Sequence, residues 1–122
     1  MHLQLSENEN AIIFFISDHG MDLYDTGEIA GHTDEKAGSR HMIEVPFIIW
    51  ASQKYRTKYP ETWKKMLVSV NRPYRTDELF HTILDAAGIR TTSFDPSKSI
   101  FNDKFKPIER IYSGKLYHRL DE

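Results

Sequence analysis

An α/β architecture, with a mostly parallel sheet flanked by helices, is the expectation this chain raises, and it rests on three features. Residues 11–17 and 45–50 are short apolar runs rich in β-branched and aromatic side chains, as strands are. Residues 61–70 and 77–87 carry helical periodicity with start and stop signals. Between the strand-like runs stands Ser17-Asp18-His19-Gly20. It falls at the carboxyl end of a predicted strand, where open α/β sheets bind their ligands.

The first run, Ala11-Ile12-Ile13-Phe14-Phe15-Ile16, is bounded by Asn8-Glu9-Asn10 and by Asp18-His19-Gly20. Near-continuous hydrophobicity suits a strand covered on both faces. Asp and neutral His form a donor pair suited to zinc, with manganese or another divalent cation as alternatives. Neighbours on a regular strand point to opposite faces, so Asp18 and His19 converge only where the backbone turns. Gly20 is expected to permit that turn. A bare Asp-His-Gly more often marks a turn-capping Asp beside a partly exposed His. The blocks that follow reverse that balance.

Residues 21–44 are polar, punctuated by Gly27, Gly31 and Gly38, and read as a loop. A loop of that length is usually functional. His32 lies inside it between Gly31 and Thr33, where it could reach a metal or an anionic substrate group, although alone such a His is more often an ordinary surface residue. His41 precedes the second strand, with a weaker case. Asp22, Asp25, Glu28, Asp34 and Glu35 read as solvated, one of them available to orient His19 or His32.

Val45-Pro46-Phe47-Ile48-Ile49-Trp50 reads as a second buried strand, its Pro at the start. Pro60 opens a helix to about Val70, with Trp63, Met66, Leu67 and Val70 on one face. The basic cluster from Lys54 to Lys65 reads as a solvated helical surface. A further helix runs from Asp77 to Ala87, with Thr76 as N-cap and Gly88 at its stop. Leu79, Phe80, Ile83, Leu84 and Ala87 form its core stripe, leaving His81 solvent-exposed. A last short strand is expected at 108–112. His2 and His118 carry no signal.

Composition narrows the function. The 122 residues allow at most one domain, small for a metalloenzyme with its own substrate pocket. Sixteen basic and 18 acidic residues leave a net charge of −2, so nucleic acid is not an expected partner. No apolar run approaches a membrane span, and residues 1–10 lack a secretory apolar core. There is no Cys, hence no disulfide and no thiolate metal site.

Four blocks together resemble one family. Ile16-Ser17-Asp18-His19-Gly20, the Gly31-His32 loop, Val45 to Trp50, and Tyr74 to Ile89 follow the order and spacing of the C-terminal part of the sulfatase-like phosphoethanolamine transferases. Ser99-Ile100-Phe101-Asn102 and Glu109-Arg110-Ile111-Tyr112 look like the closing segment. These are bacterial inner-membrane enzymes of the alkaline phosphatase superfamily with a periplasmic catalytic domain.

The resemblance implies that residues 1–122 form the C-terminal part of an alkaline-phosphatase-like sandwich. Its subdivisions would be a metal-ligand strand and loop (11–44), a strand and helices (45–89) and a C-terminal segment (90–122). It further implies zinc held by Asp18 and His19, with His32 on the phosphoethanolamine group. A zinc-activated Thr would take phosphoethanolamine from phosphatidylethanolamine and pass it to a cell-envelope glycolipid such as lipid A or a lipopolysaccharide core sugar.

Met21 stands where many relatives have Glu, and Thr33 where some have Gly. None of the chain's Thr residues occupies the family's nucleophile position. The chain is therefore expected to be part of a longer enzyme, inactive and weakly zinc-binding alone, with apolar strand edges exposed. A sulfatase or phosphatase-type hydrolase of the same superfamily, and a non-catalytic remnant, stand as alternatives.

Overall fold

The computed structural model describes residues 9–25, 30–31, 39–112 and 115–116. It divides into two compact units, one holding residues 51–108 and those before 13, the other residues 13–50 and those after 108.

In the second unit, β1 (Ile12–Ile16) and β4 (Phe47–Ala51) form a two-stranded sheet. Backbone bonds bracket the pair: Ser52 N to Ala11 O at 3.0 Å and Gly20 N to Met42 O at 2.9 Å. Moving forward along one segment means moving backward along the other, so this pair is antiparallel inside a fold class expected to be mostly parallel. Burial along β1 alternates accordingly, with Phe15 58% exposed and Ile13 and Ile48 also on the surface. The reading of β1 as covered on both faces does not hold within this chain. Phe14 stacks on Phe47 with centroids 6.1 Å apart, one cross-strand contact of the pair.

The stretch read as a loop carries its own structure. β2 (Asp22–Leu23) pairs antiparallel with β3 (Ala30–Gly31), Asp22 opposite Gly31 and Leu23 opposite Ala30. A single helical turn, α1 (Arg40–Ile43), follows and buries Met42. Elements of two to four residues lie below what hydrophobic periodicity can register. Within 108–112, only β5 (Ile111–Tyr112) is strand, paired with β6 (Lys115–Leu116).

The first unit is helical. Ser52 caps α2 (Gln53–Lys58): its Oγ accepts from Tyr55 N at 3.1 Å and from Ala11 N at 3.2 Å. Pro60 opens α3 (Pro60–Val68), as read. Met66 is buried and Trp63 half-buried, but Leu67 and Val70 are exposed, so that core face is only half right.

Thr76 does not cap a helix; Thr76–Glu78 form a 3₁₀ turn leading into α4 (Leu79–Ala87). Gly88 ends α4 in the left-handed region at φ 68°, as its position suggested. The buried face of α4 is Thr82 and Ala86, while Phe80 and Ile83 are exposed.

Polar bonding explains that rotation. Thr82 Oγ1 accepts from Ile100 N at 3.2 Å, and Tyr55 Oη donates to Ala86 O at 2.7 Å. Asp85, next to Ala86 and about one turn after Thr82, accepts from Ser99 Oγ at 2.8 Å, Asn102 Nδ2 at 2.9 Å and Arg90 at 3.1 Å. Arg72 donates to the carbonyls of Ile100 and Asn102. The bonds of Thr82 to Ile100 and of Asp85 to Ser99 and Asn102 fasten α4 to the Ser99–Asn102 segment, whose Phe101 is 1% exposed. Burial pushes the Tyr55 phenol above its ordinary value, with Tyr59 adding to the shift.

His81 is likewise not solvent-exposed. It is half-buried, lies edge-on to Phe80 and against Phe94, and its Nδ1 accepts from Asp95 N at 3.2 Å.

Candidate functional site

β1 ends at Ile16, and the next four residues turn out of the sheet under local bonds. Ser17 Oγ donates to the carbonyl of His19 at 2.7 Å. The His19 amide donates to Asp18 Oδ1 at 3.0 Å, which pins that carboxylate over its own turn.

His19 Nδ1 lies 2.8 Å from the carbonyl of Gly20. A carbonyl only accepts, so Nδ1 donates in this bond, and in the neutral imidazole the lone pair is then on Nε2. Nε2 is the nitrogen that comes within 3.9 Å of Asp18 Oδ1. The carboxylate and imidazole side chains are 89% and 45% exposed, so neither has lost its hydration to the fold.

The pair's donor chemistry fits two ligands of a metal site. Zinc bonds to carboxylate oxygen and imidazole nitrogen run to about 2.0–2.2 Å, so donors 3.9 Å apart can serve one ion. A metal-bound His commonly donates its other ring N–H to a carbonyl, the role Gly20 O fills here. Two donors are an incomplete set. Among the described residues no group of three or more His, Asp or Glu side chains could hold an ion.

Gly20 is required for a reason other than the one its sequence suggested. Its backbone is not left-handed; what it supplies is space. A Cβ at this position would sit 1.9 Å from the His41 carbonyl oxygen and 3.0 Å from the Met42 carbonyl carbon. With Gly20 N bonded to Met42 O, α1 is pressed against the turn that presents Asp18 and His19. Met42 and Ser17 thus support the site, and sequence reasoning passed over both. Ser17 was legible as part of the Ser-Asp-His-Gly run; Met42 gave no signal.

Asp22 is not solvated but fully buried, its Oδ1 accepting from Asp25 N at 2.8 Å. Asp25 in turn accepts from Leu23 N at 3.1 Å, and Tyr24 between them takes φ 66°. Such a φ is uncommon for a residue with a side chain, and the two Asp bonds hold the turn there. His32 and the charges at 28, 34 and 35 lie outside the described residues. His41 is half-buried, its backbone rather than its ring in the documented contact with Gly20.

The chain that carries this pair is similar along most of its length to known proteins. A family model described as Sulfatase matches residues 2–89, and the chain belongs to that family. It is similar to the phosphoethanolamine transferase CptA of Salmonella typhimurium (strain LT2), 37% identical over 112 residues. That match covers 90% of this chain and 18% of the relative. It is also similar to the phosphoethanolamine transferase EptC of Escherichia coli (strain K12), 34% identical over 114 residues, 92% of this chain and 19% of EptC.

In structure it matches the crystallised C-terminal periplasmic domain of Escherichia coli EptC with TM-score 0.76 at 34% identity. That match covers 84% of this chain and 29% of the solved one. A second solved form of that domain, described as a complex with Zn, gives TM-score 0.75 at 34% identity, covering 84% and 28%. The alkaline-phosphatase-like fold class is thereby established. The chain spans less than a fifth of the curated relatives it matches. No helix among the described residues is long and apolar enough to cross a membrane.

Proposed function

We infer that this chain contributes two zinc ligands, Asp18 and His19, to a phosphoethanolamine transferase. That enzyme would move phosphoethanolamine from phosphatidylethanolamine to a cell-envelope acceptor, lipid A or a lipopolysaccharide core sugar. The observation that carries the reading is the 3.9 Å approach of Asp18 Oδ1 to His19 Nε2, with Nδ1 tied to the Gly20 carbonyl. The relatives' names support the chemistry, and a structural neighbour is a zinc complex.

Bound zinc would act as a Lewis acid toward phosphoryl oxygen and lower the pKa of a hydroxyl nucleophile. Within this chain, Asp18 and His19 hold and orient, Ser17 and Gly20 fix their turn, and α1 backs it. On the strength of the resemblance, a Thr nucleophile and further ligands would complete the site. His32, on the strength of the resemblance, contacts the phosphoethanolamine group. The solved neighbour is a periplasmic domain, which supports a periplasmic catalytic domain on an inner-membrane protein.

A chimera tests this. The corresponding C-terminal segment of E. coli EptC is replaced by this chain, and phosphoethanolamine added to envelope glycolipids is read by mass spectrometry, with zinc content measured on the purified protein. The chimera should transfer phosphoethanolamine, and D18A and H19A should each lower both zinc content and transfer. Full transfer by D18A/H19A chimeras would refute the reading. Release of phosphoethanolamine to water without transfer would assign the chain to a hydrolase instead.

A further inference from the structure

Of residues 9–25, the stretch that carries the Asp18–His19 pair, only Asp22 is buried, and it is 0% exposed. The apolar residues of β1 are half-buried or exposed, so the best-buried point of this stretch is a carboxylate. A buried carboxylate is costly unless hydrogen-bonded. Its Oδ1 accepts from the Asp25 amide at 2.8 Å, Asp25 accepts in turn from the Leu23 amide at 3.1 Å, and Tyr24 is held between them at φ 66°. The backbone of Asp22 lies opposite Gly31 in the β2–β3 ladder, and a two-stranded ladder this short is marginal by itself. The carboxylate-capped turn supplies the constraint the ladder lacks.

That anchor stands two residues beyond Gly20. The Gly20 amide is fixed by its bond to the Met42 carbonyl at 2.9 Å. Its own carbonyl belongs to the next peptide group, and rotation about the Gly20 Cα–C bond is restrained by no side chain of its own. The direction of that carbonyl therefore depends on where the chain is next held. Met21 is 53% exposed, and Asp22 is the next buried point. The Gly20 carbonyl accepts from His19 Nδ1 at 2.8 Å, so its direction sets the plane of the imidazole and the line along which Nε2 points.

Two simpler roles for Asp22 do not fit. A ligand would gather with Asp18 and His19, but among the described residues no three such side chains do. An acceptor for the His19 ring N–H is already supplied by the Gly20 carbonyl.

We propose that Asp22 is a positioning residue of the metal site. By fixing the chain just after Gly20, its carboxylate aims the Gly20 carbonyl, and through it the His19 imidazole, at the ion. The inference rests on the reading of Asp18 and His19 as zinc ligands, and the experiment separates the two.

Zinc affinity is measured by competition with a chelating dye on the EptC chimera described above, with H19A as the yardstick. D22A should weaken zinc binding about 10- to 100-fold, the range for losing a group that orients a metal ligand. Asn keeps an acceptor oxygen in the same place, so D22N should recover most of that affinity. In the cobalt-substituted chimera D22A should shift the visible absorption bands, which report ligand geometry, and D22N should restore them.

A lowered melting temperature for D22A with unchanged zinc affinity and cobalt bands would make Asp22 merely structural and overturn the proposal. So would a D22N chimera as impaired as D22A. If D22A does not fold, D25A decides, because that exposed side chain loosens the same turn by releasing the Leu23 amide. Affinity lowered by D25A supports the proposal, and unchanged affinity overturns it. Should H19A also leave zinc affinity unchanged, the zinc reading fails and this inference with it. Loss by H19A but not by D22A removes this inference alone.

Discussion

The helical region and the strand-loop region treat their polar groups in opposite ways. Around α4 each polar side chain closes the structure: Asp85 takes Ser99, Asn102 and Arg90, Thr82 takes the Ile100 amide, and Arg72 takes two carbonyls. After β1, Asp18 and His19 are held by their own backbone neighbours and stay open to water. Buried carboxylates persist when hydrogen-bonded, and Asp85 is one. An oriented carboxylate and imidazole left exposed contribute nothing to the core.

The largest expected effects lie in the closed region. Phe101→Ala should destabilise its unit by about 3–5 kcal/mol, because a nearly inaccessible ring leaves a cavity. Asp85→Ala should cost about 2–3 kcal/mol by stranding Ser99 and Asn102, whereas Asp85→Asn keeps an acceptor and should cost less. Urea unfolding followed by circular dichroism checks both. If Phe101→Ala shifts the midpoint no more than a surface change does, the 99–102 segment is not part of the cooperative unit.

Two glycines sharpen the contrast between regions. Gly20→Ala should cost about 1–3 kcal/mol, since its Cβ would meet backbone rather than a yielding side chain. Gly88→Ala meets nothing within 4 Å but must hold φ 68°, a cost of about 1 kcal/mol. Asn tolerates the left-handed region, so Gly88→Asn should regain part of that loss while Gly20→Asn regains none. Equal rescue at both sites in thermal melts would show that space is not what Gly20 provides.

Those glycines also show how much could be read in advance. The fold class, the strand ending in Ser-Asp-His-Gly, Pro60 at the start of α3 and Gly88 at the stop of α4 follow from local chemistry and were legible. The faces of α3 and α4 were not, because apolar periodicity assigned Leu67, Val70, Phe80 and Ile83 to the core. Instead, hydrogen bonds at Thr82, Asp85 and Ala86 set the rotation of α4, and such bonds depend on residues about 15–30 positions away. At the site, the identities Asp18 and His19 were visible, while the reason for Gly20 lay in α1. Asp22 read as a solvated charge because nothing in its neighbours shows that its carboxylate folds back onto the Asp25 amide. His81 was misplaced for a similar reason, its partner being an amide 14 residues on.

The smallest effect expected is a pH dependence confined to the helical region. Asp95 sits below its ordinary carboxylate value of 3.8, first because the Ser97 hydroxyl donates to it at 2.7 Å and next because the Ser97 amide does at 2.9 Å. Partial desolvation opposes this shift, and Lys98 and His81 add weakly to it. A depressed folded value means the unfolded chain binds the proton more readily, so the stabilisation is complete above 3.8 and disappears as pH falls through the folded value. Ser97→Ala removes the first cause and leaves the second. Its deficit in urea midpoint should therefore be constant near neutral pH, shrink below about pH 4 and vanish in stronger acid. A deficit for Ser97→Ala that persists unchanged into acid would mean the serine acts through packing and not through the carboxylate it caps.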